Sequence, residues 1–455
     1  MTPDQLSPHA AAASLPPGLR HAFQFALFNA LSFQMVLGSP MILYARSLGA
    51  SSTVLGILAG MMPLLVILQI PAAAHVARIG YKKFVFNGWG LRVMFIFVMA
   101  LVPLTGRFLD ATNRLALVLM LLFAFNLSRG ISSAAWLPWI TELVPVHLRG
   151  KYLAGDAAFS NLGSFLAFLM AAVCLGNDPT SMRFSLVFLF SALMGATSLV
   201  FLKRIPDVTT GFSENKSRAQ VPWRAIISHP PFQQLLWFNV GWSVAFGGMT
   251  TFAVVFLKAK AGLAERDILI ANSAYFLGGL GSLWLVGGRL DRFGSKPVIT
   301  FGLCVWLLIM VGWLALAGGL HPPGRADAFV LQFLMGLAAV LITMANVRLA
   351  MAIVPEMGRS HFFAIFSVVG SLTLGISPVL WGVLIDATHE LKFDWHGFEW
   401  NQFSIFFFAT AAAFLLALAL CQRLHEPAAA RMEVLLREIL LEPPQRLWLR
   451  LWPRE

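Results

Sequence analysis

Apolar stretches, each about as long as a membrane-crossing helix, recur along almost the whole chain and are separated by short polar segments bearing charge, Pro and Gly. A hydrocarbon core of about 30 Å takes roughly 20 helical residues to cross. Stretches that meet this length lie at 22–44, 53–75, 84–104, 115–141, 152–175 and 184–202, and again at 233–257, 268–288, 297–319, 328–353, 362–386 and 402–421. Only helices and closed barrels satisfy their backbone groups in lipid, and these runs are too long and too continuously apolar for barrel strands. The pattern predicts an all-α polytopic membrane protein with 12 transmembrane helices in two six-helix halves. The predicted organisation is a tail at 1–21, a bundle at 22–203, a polar linker at 204–232, a second bundle at 233–423 and a tail at 424–455.

Composition agrees with a membrane protein: 58% of the 455 residues are hydrophobic and 12% charged, and the mean hydropathy is +0.75. The net charge of +12 does not form a nucleic-acid patch, because the basic residues are dispersed over short loops. Of the 33 Lys and Arg, 21 fall in the even loops, the tails and the central linker, nine in the odd loops and three within spans. Basic excess marks the cytoplasmic side, so both termini are expected there, in a bacterial-type inner membrane. Residues 1–20 lack the apolar core of a cleavable leader, so the first span is expected to remain as an anchor. In the last segment Met432, Leu435, Leu436, Ile439 and Leu440 share one helical face, as in a helix lying along the inner leaflet or, alternatively, docking a partner. The three cysteines, Cys174, Cys304 and Cys421, have no ligand spacing and are expected to pack between helices.

The halves repeat at an offset near 210 residues, which places Asn29 over Asn239, Gly38 over Gly248, Pro145 over Pro355 and Arg149 over Arg359. Slightly different offsets pair ARIGYKK with DRFGSKP and Gly130 with Gly336. The loop after the second span of each half resembles the signature loop of the major facilitator superfamily. That signature is a Gly, then Asp-Arg, Gly and a basic residue at fixed spacing. The second copy carries Gly287, Asp291, Arg292, Gly294 and Lys296; the first keeps Arg78, Gly80 and Lys82, with Ala77 in place of the acid. Pro145, Arg149 and Gly150, with Pro355 and Arg359, match a second loop of that family. The resemblance covers essentially the whole chain. It implies a pseudo-symmetric fold of two six-helix halves, alternating access, and a gating role for Arg78, Arg149, Gly287, Asp291, Arg292, Gly294 and Arg359.

The same resemblance implies a central cavity lined by the first, fourth, seventh and tenth spans, where polar residues are costly and tend to face the interior. On the fourth span Asn126, Arg129, Ser133 and Trp136 are spaced three, four and three apart, on one helical face. A guanidinium stays charged at mid-depth, and its fork suits a carboxylate or phosphate, so Arg129 is a candidate anion site for a substrate; the alternative is a structural arginine satisfied by helix carbonyls, water or neighbouring amides. Asn29, Asn239 and Asn346 offer amides, and Trp136, Trp242 and Tyr275 offer ring faces, to the same solute. Asp156 is the candidate for energy coupling. Arg92 and Arg348 are read as structural, reaching the interface or Asp156. Drug antiporters of this family often bear an Arg four residues before the glycine of the fourth span; Asn126 stands there, which weighs against that branch.

No nucleotide loop, metal cluster or paired carboxylates are apparent, so neither an enzyme nor a cofactor is expected. The reading is a secondary transporter of a small polar solute, an organic anion or sugar-like compound, acting as a monomer. Efflux of amphipathic compounds, and a receptor or assembly protein that has lost transport, are the alternatives.

Overall fold

A computed structural model describes residues 18–145, 148–208, 229–286, 294–353, 359–424 and 426. Among the described residues twelve long helices run in chain order. The first six are α1 (Arg20–Ser47), α2 (Ser52–Val76), α3 (Tyr81–Arg107), α4 (Ala111–Leu143), α5 (Arg149–Leu175) and α6 (Ser181–Arg204). The second six are α7 (Pro230–Ala259), α8 (Glu265–Val286), α9 (Ser295–Ala317), α10 (Arg325–Ile353), α11 (Arg359–Ala387) and α12 (Gln402–Gln422). Eleven of them are long and apolar enough to cross a membrane. The remaining one, α8, is a 22-residue helix that also carries polar groups, Asn272 and Ser273 among them.

Four of the helices that start at the odd-loop face, α2, α4, α6 and α12, are capped by short polar side chains. Ser51 accepts from Val54 N, Asp110 from Asn113 N and Thr180 from Arg183 N, and Asn401 forms a full capping box. Each satisfies a backbone donor that lipid would leave unpaired. At the even-loop face Gly80 and Gly294 precede α3 and α9 with φ of 87° and 83°. A left-handed residue there reverses the chain without a Cβ clash, which accounts for both signature loops keeping this glycine.

The repeat reappears in packing. Gly130 on α4 meets the carbonyl of Leu65, and Gly336 on α10 meets the carbonyl of Tyr275, so each lets its helix touch the second helix of its half. Both first helices break at the matched position. The backbone of α1 is extended at Gly38, with Pro40 restarting the helix, and α7 breaks at Gly247–Gly248.

The halves meet where α2 runs along α11 and α5 along α8. They are tied together at the odd-loop face. The Asp386 carboxylate at the end of α11 accepts from Ser52 N at 2.9 Å and Thr53 N at 2.7 Å, the first amides of α2. At the pseudo-symmetric corner Arg266 N of α8 donates to Gly176 O at the end of α5, at 3.0 Å. Asn272 Nδ2 donates to Ser39 Oγ at 2.7 Å, and the outer segments Ser39–Ser47 and Met249–Ala259 pack on each other.

Two features depart from the sequence expectation. The loop between α11 and α12 folds as a hairpin, β1 (Phe393–Trp395) and β2 (Phe398–Trp400), with Phe393 opposite Trp400. Its FDWHGFEW alternation has period two, and His396 and Gly397 at φ 53° and 77° supply the tight turn. Cys421 is buried and Cys174 half-buried, but Cys304 is exposed, so it does not pack between helices. The rotation of α9 directs it outward, where its apolar thiol needs no partner. Gly287, Asp291, Arg292 and residues 427–455 with the amphipathic segment lie outside the described residues.

Candidate functional site

Four helices of the first half close around a cavity of about 230 Å³. α1 supplies Phe25, Asn29 and Phe33; α3 supplies Trp89 and Arg92; α4 supplies Arg129, Ser133 and Trp136; α5 supplies Asp156 and Ser160. Asn29 Oδ1 accepts from Trp89 Nε1 at 3.2 Å, and its own N–H groups have no protein partner among the described residues. Trp136 stacks obliquely on Phe25 and Trp89, with centroids 5.0 and 6.2 Å apart. Ser133 Oγ donates to Gly130 O at 2.8 Å, which fixes the hydroxyl at the start of a tight 3-10 turn in α4.

The charged groups are the unusual part. Arg129 and Asp156 line the same cavity, yet neither side chain forms an ion pair or hydrogen bond among the described residues. Arg92 is 4% exposed. Its guanidinium carbon lies 4.7 Å from the Trp89 ring centre and 4.8 Å from that of Phe125, and its Nε and Nη1 are buried without a hydrogen-bond partner. Burying a charge is expensive unless it is paired. Two guanidiniums and one carboxylate thus share the cavity without a direct pair among the described residues, and positive charge is in excess there.

A second cavity of about 160 Å³ lies between the halves, beside the breaks in α1 and α7. Gln34, Ser39, Thr251, Asn272, Tyr275 and Gln332 line it, all of them neutral.

The candidates read from sequence separate accordingly. Asn29, Arg129, Ser133, Trp136 and Asp156 come together in the charged cavity, and Tyr275 reaches the neutral one. Asn126, Asn239, Trp242 and Asn346 line neither. Asn126 turns back onto Leu122 O at 2.9 Å. Asn239 and Asn346 form a reciprocal amide pair at 2.7 and 3.3 Å that joins α7 to α10, and Asn239 also donates to Leu235 O. Trp242 is buried against Phe246, Trp306 and Phe414.

Of the gating candidates, Arg78 is exposed, Gly294 holds the turn before α9, and Arg149 and Arg359 are the first residues of α5 and α11. Arg348 does not meet Asp156. It pairs with Glu426 at 2.7 Å and Ser295 Oγ at 3.0 Å, while Glu426 accepts from Ser295 N and Lys296 N. A carboxylate beyond α12 thus caps the start of α9 and supplies the countercharge.

Sequence reasoning missed Arg92 as a cavity residue. Its charge within a span was the available signal, but α3 is not one of the helices that the family resemblance assigns to the cavity.

The sequence pattern of the Major Facilitator Superfamily matches residues 23–324 and again 248–452. The chain belongs to the Major Facilitator Superfamily. It is a multi-pass membrane transporter of small molecules, not an enzyme, and the fold of two six-helix halves is the family's own. A crystal structure of a D-xylose-proton symporter superimposes with a TM-score of 0.70 over 90% of this chain and 98% of that one, at 14% identity. The nucleoside transporter NupG gives 0.62 over 89% and 97%, at 15% identity. In sequence, the probable galactarate/D-glucarate transporter GudP of Bacillus subtilis (strain 168) is 31% identical over 156 residues. That match spans 34% of this chain and 30% of the relative's length.

Proposed function

We propose that this superfamily member transports a small, hydroxylated organic acid as its anion. The carrying observation is Arg129, a guanidinium facing a cavity with no ion-pair partner among the described residues. Asn29 and Ser160 offer hydrogen bonds to hydroxyls, and Trp136 and Trp89 offer faces to a carbon backbone. Size favours a metabolite over a drug: about 230 Å³ falls below the 300–1,000 Å³ typical of pockets for drug-sized ligands. The partial likeness to a relative named for two sugar diacids agrees with this chemistry.

The two halves, 22–203 and 233–423, exchange access to the cavity by rocking against each other. The even-loop face and both termini lie on the cytoplasmic side of a bacterial inner membrane, a reading supported by the basic excess on those loops. The protein works as a monomer.

The test is uptake of labelled glucarate into proteoliposomes. Competition by organic acids and not by xylose is expected, with a loss of about ten- to hundredfold in apparent affinity in Arg129→Gln, the equivalent of one charge-assisted hydrogen bond. Equal competition by neutral sugars, or unchanged uptake in Arg129→Gln, overturns the reading.

A further inference from the structure

We propose that Arg92 of α3 is a second anion ligand of the charged cavity, and that the substrate is therefore a dicarboxylate held between Arg129 and Arg92. This rests on the reading of the cavity as an anion site and names the class of anion.

The guanidinium carbon of Arg92 sits over two aromatic rings, Trp89 at 4.7 Å and Phe125 at 4.8 Å. Ring faces attract the positive charge, but a guanidinium's N–H groups lie in its own plane and point away from a ring that stacks on it. The rings therefore attract the charge without supplying an oxygen acceptor for its donors. Nε and Nη1 are sealed from solvent and have no hydrogen-bond partner among the described residues, whereas Nη2 is not enclosed; the residue lines the cavity, so Nη2 is the donor an anion there reaches.

A structural arginine in a membrane bundle looks different, and Arg348 shows how. It engages a carboxylate at 2.7 Å and a hydroxyl at 3.0 Å, and that carboxylate is itself capped by backbone amides. Arg92 has none of this. Asp156 shares the cavity but forms no ion pair with either arginine among the described residues, so it neutralises neither directly. Two guanidiniums, each lacking a partner, call for two separate anionic groups. A polyhydroxy chain between two carboxylates also meets the amide of Asn29 and the hydroxyls of Ser133 and Ser160.

Binding to the detergent-purified full chain is measured calorimetrically for glucarate, a diacid, and gluconate, which carries one carboxylate on the same polyol chain. Glucarate is expected to bind at least tenfold more tightly. In Arg92→Gln that ratio falls to near one because glucarate binding weakens and gluconate binding changes little, and Arg92→Lys recovers part of it. A ratio near one in the unaltered protein overturns the proposal without recourse to any variant. So does a Gln variant that weakens both acids alike, the mark of a purely structural arginine. If neither acid binds while a neutral sugar does, the anion reading itself fails, a result distinct from the loss of diacid preference.

Discussion

Asp386 offers the sharpest test of how the odd-loop face is held shut. Its carboxylate, at the end of α11 in the second half, accepts from Ser52 N and Thr53 N at 2.9 and 2.7 Å, the start of α2 in the first half. When the halves part at this face, carboxylate and amides are returned to water. The contact's contribution to closure is therefore the net value of a charge-assisted hydrogen bond, about 1.5–3 kcal/mol. Taking about 2 kcal/mol, Asp386→Ala raises the open fraction at this face about thirtyfold. Asp386→Asn keeps one acceptor oxygen and falls between the two.

The assay is alkylation of Thr251→Cys, a buried position lining the neutral cavity, after Cys174, Cys304 and Cys421 are replaced by Ala. In detergent, with opening and closing faster than labelling, the alkylation rate follows the open population and should rise by the same factor. A rate within about threefold of the Asp386 parent, with an unchanged melting temperature, would show that α2–α11 packing alone closes this face and that the carboxylate is incidental.

Three further expectations follow from the geometry. A diacid taking both arginines cancels their charge and leaves the Asp156 carboxylate as the uncompensated charge of the site, with Arg92, Arg129 and Tyr152 as the charged or titratable groups around it. Glucarate binding should thus draw close to one proton at pH 7, read by calorimetry in buffers of different ionisation enthalpy; Asp156→Asn should abolish the uptake, and none in the parent rules Asp156 out as the proton carrier. Asn239→Leu strands the buried amide of Asn346 and should cost about 1–3 kcal/mol in unfolding, much of it recovered in the double Leu variant and with glucarate affinity unchanged; a large affinity loss would return the pair to the substrate site. The hydrogen bond and charge of Lys260 hold the Glu399 carboxyl below its usual range. The stability this provides is present above the ordinary glutamate pKa of about 4.3 and is lost as pH falls through the lower folded value. Both side chains are substantially exposed, 38% and 51%, so Lys260→Gln should lower stability at pH 7 by under about 1 kcal/mol. The gap should shrink as pH falls below the ordinary glutamate range, and a gap that does not change with pH would mean that the lysine acts through packing.

The number of spans, their limits and the repeat could be read from the sequence because each follows from a local requirement. A segment must be long and apolar enough to cross lipid, its backbone must pair within itself, and a reversal without a Cβ clash selects glycine at Gly80 and Gly294. The pairing of Gly130 with Gly336 was visible as repetition, and the structure gives its cause in the carbonyls each approaches.

Which polar residue meets the cavity was not legible, since it depends on how neighbouring helices rotate one another. Asn29 and Asn239 are equivalent by the repeat, yet Asn29 has a tryptophan partner and keeps donors free, whereas Asn239 is consumed by Asn346. Periodicity put Asn126 and Arg129 on one face, but three residues cover 300°, and the residual 60° turns Asn126 onto the carbonyl of its own helix. Arg92 and Arg348 read alike as arginines inside spans. The tertiary structure alone brings Glu426 to Arg348 and leaves Arg92 between two rings with its donors unused, because the partner of a buried charge is supplied by whichever chain segment packs against it, and that segment is distant in sequence.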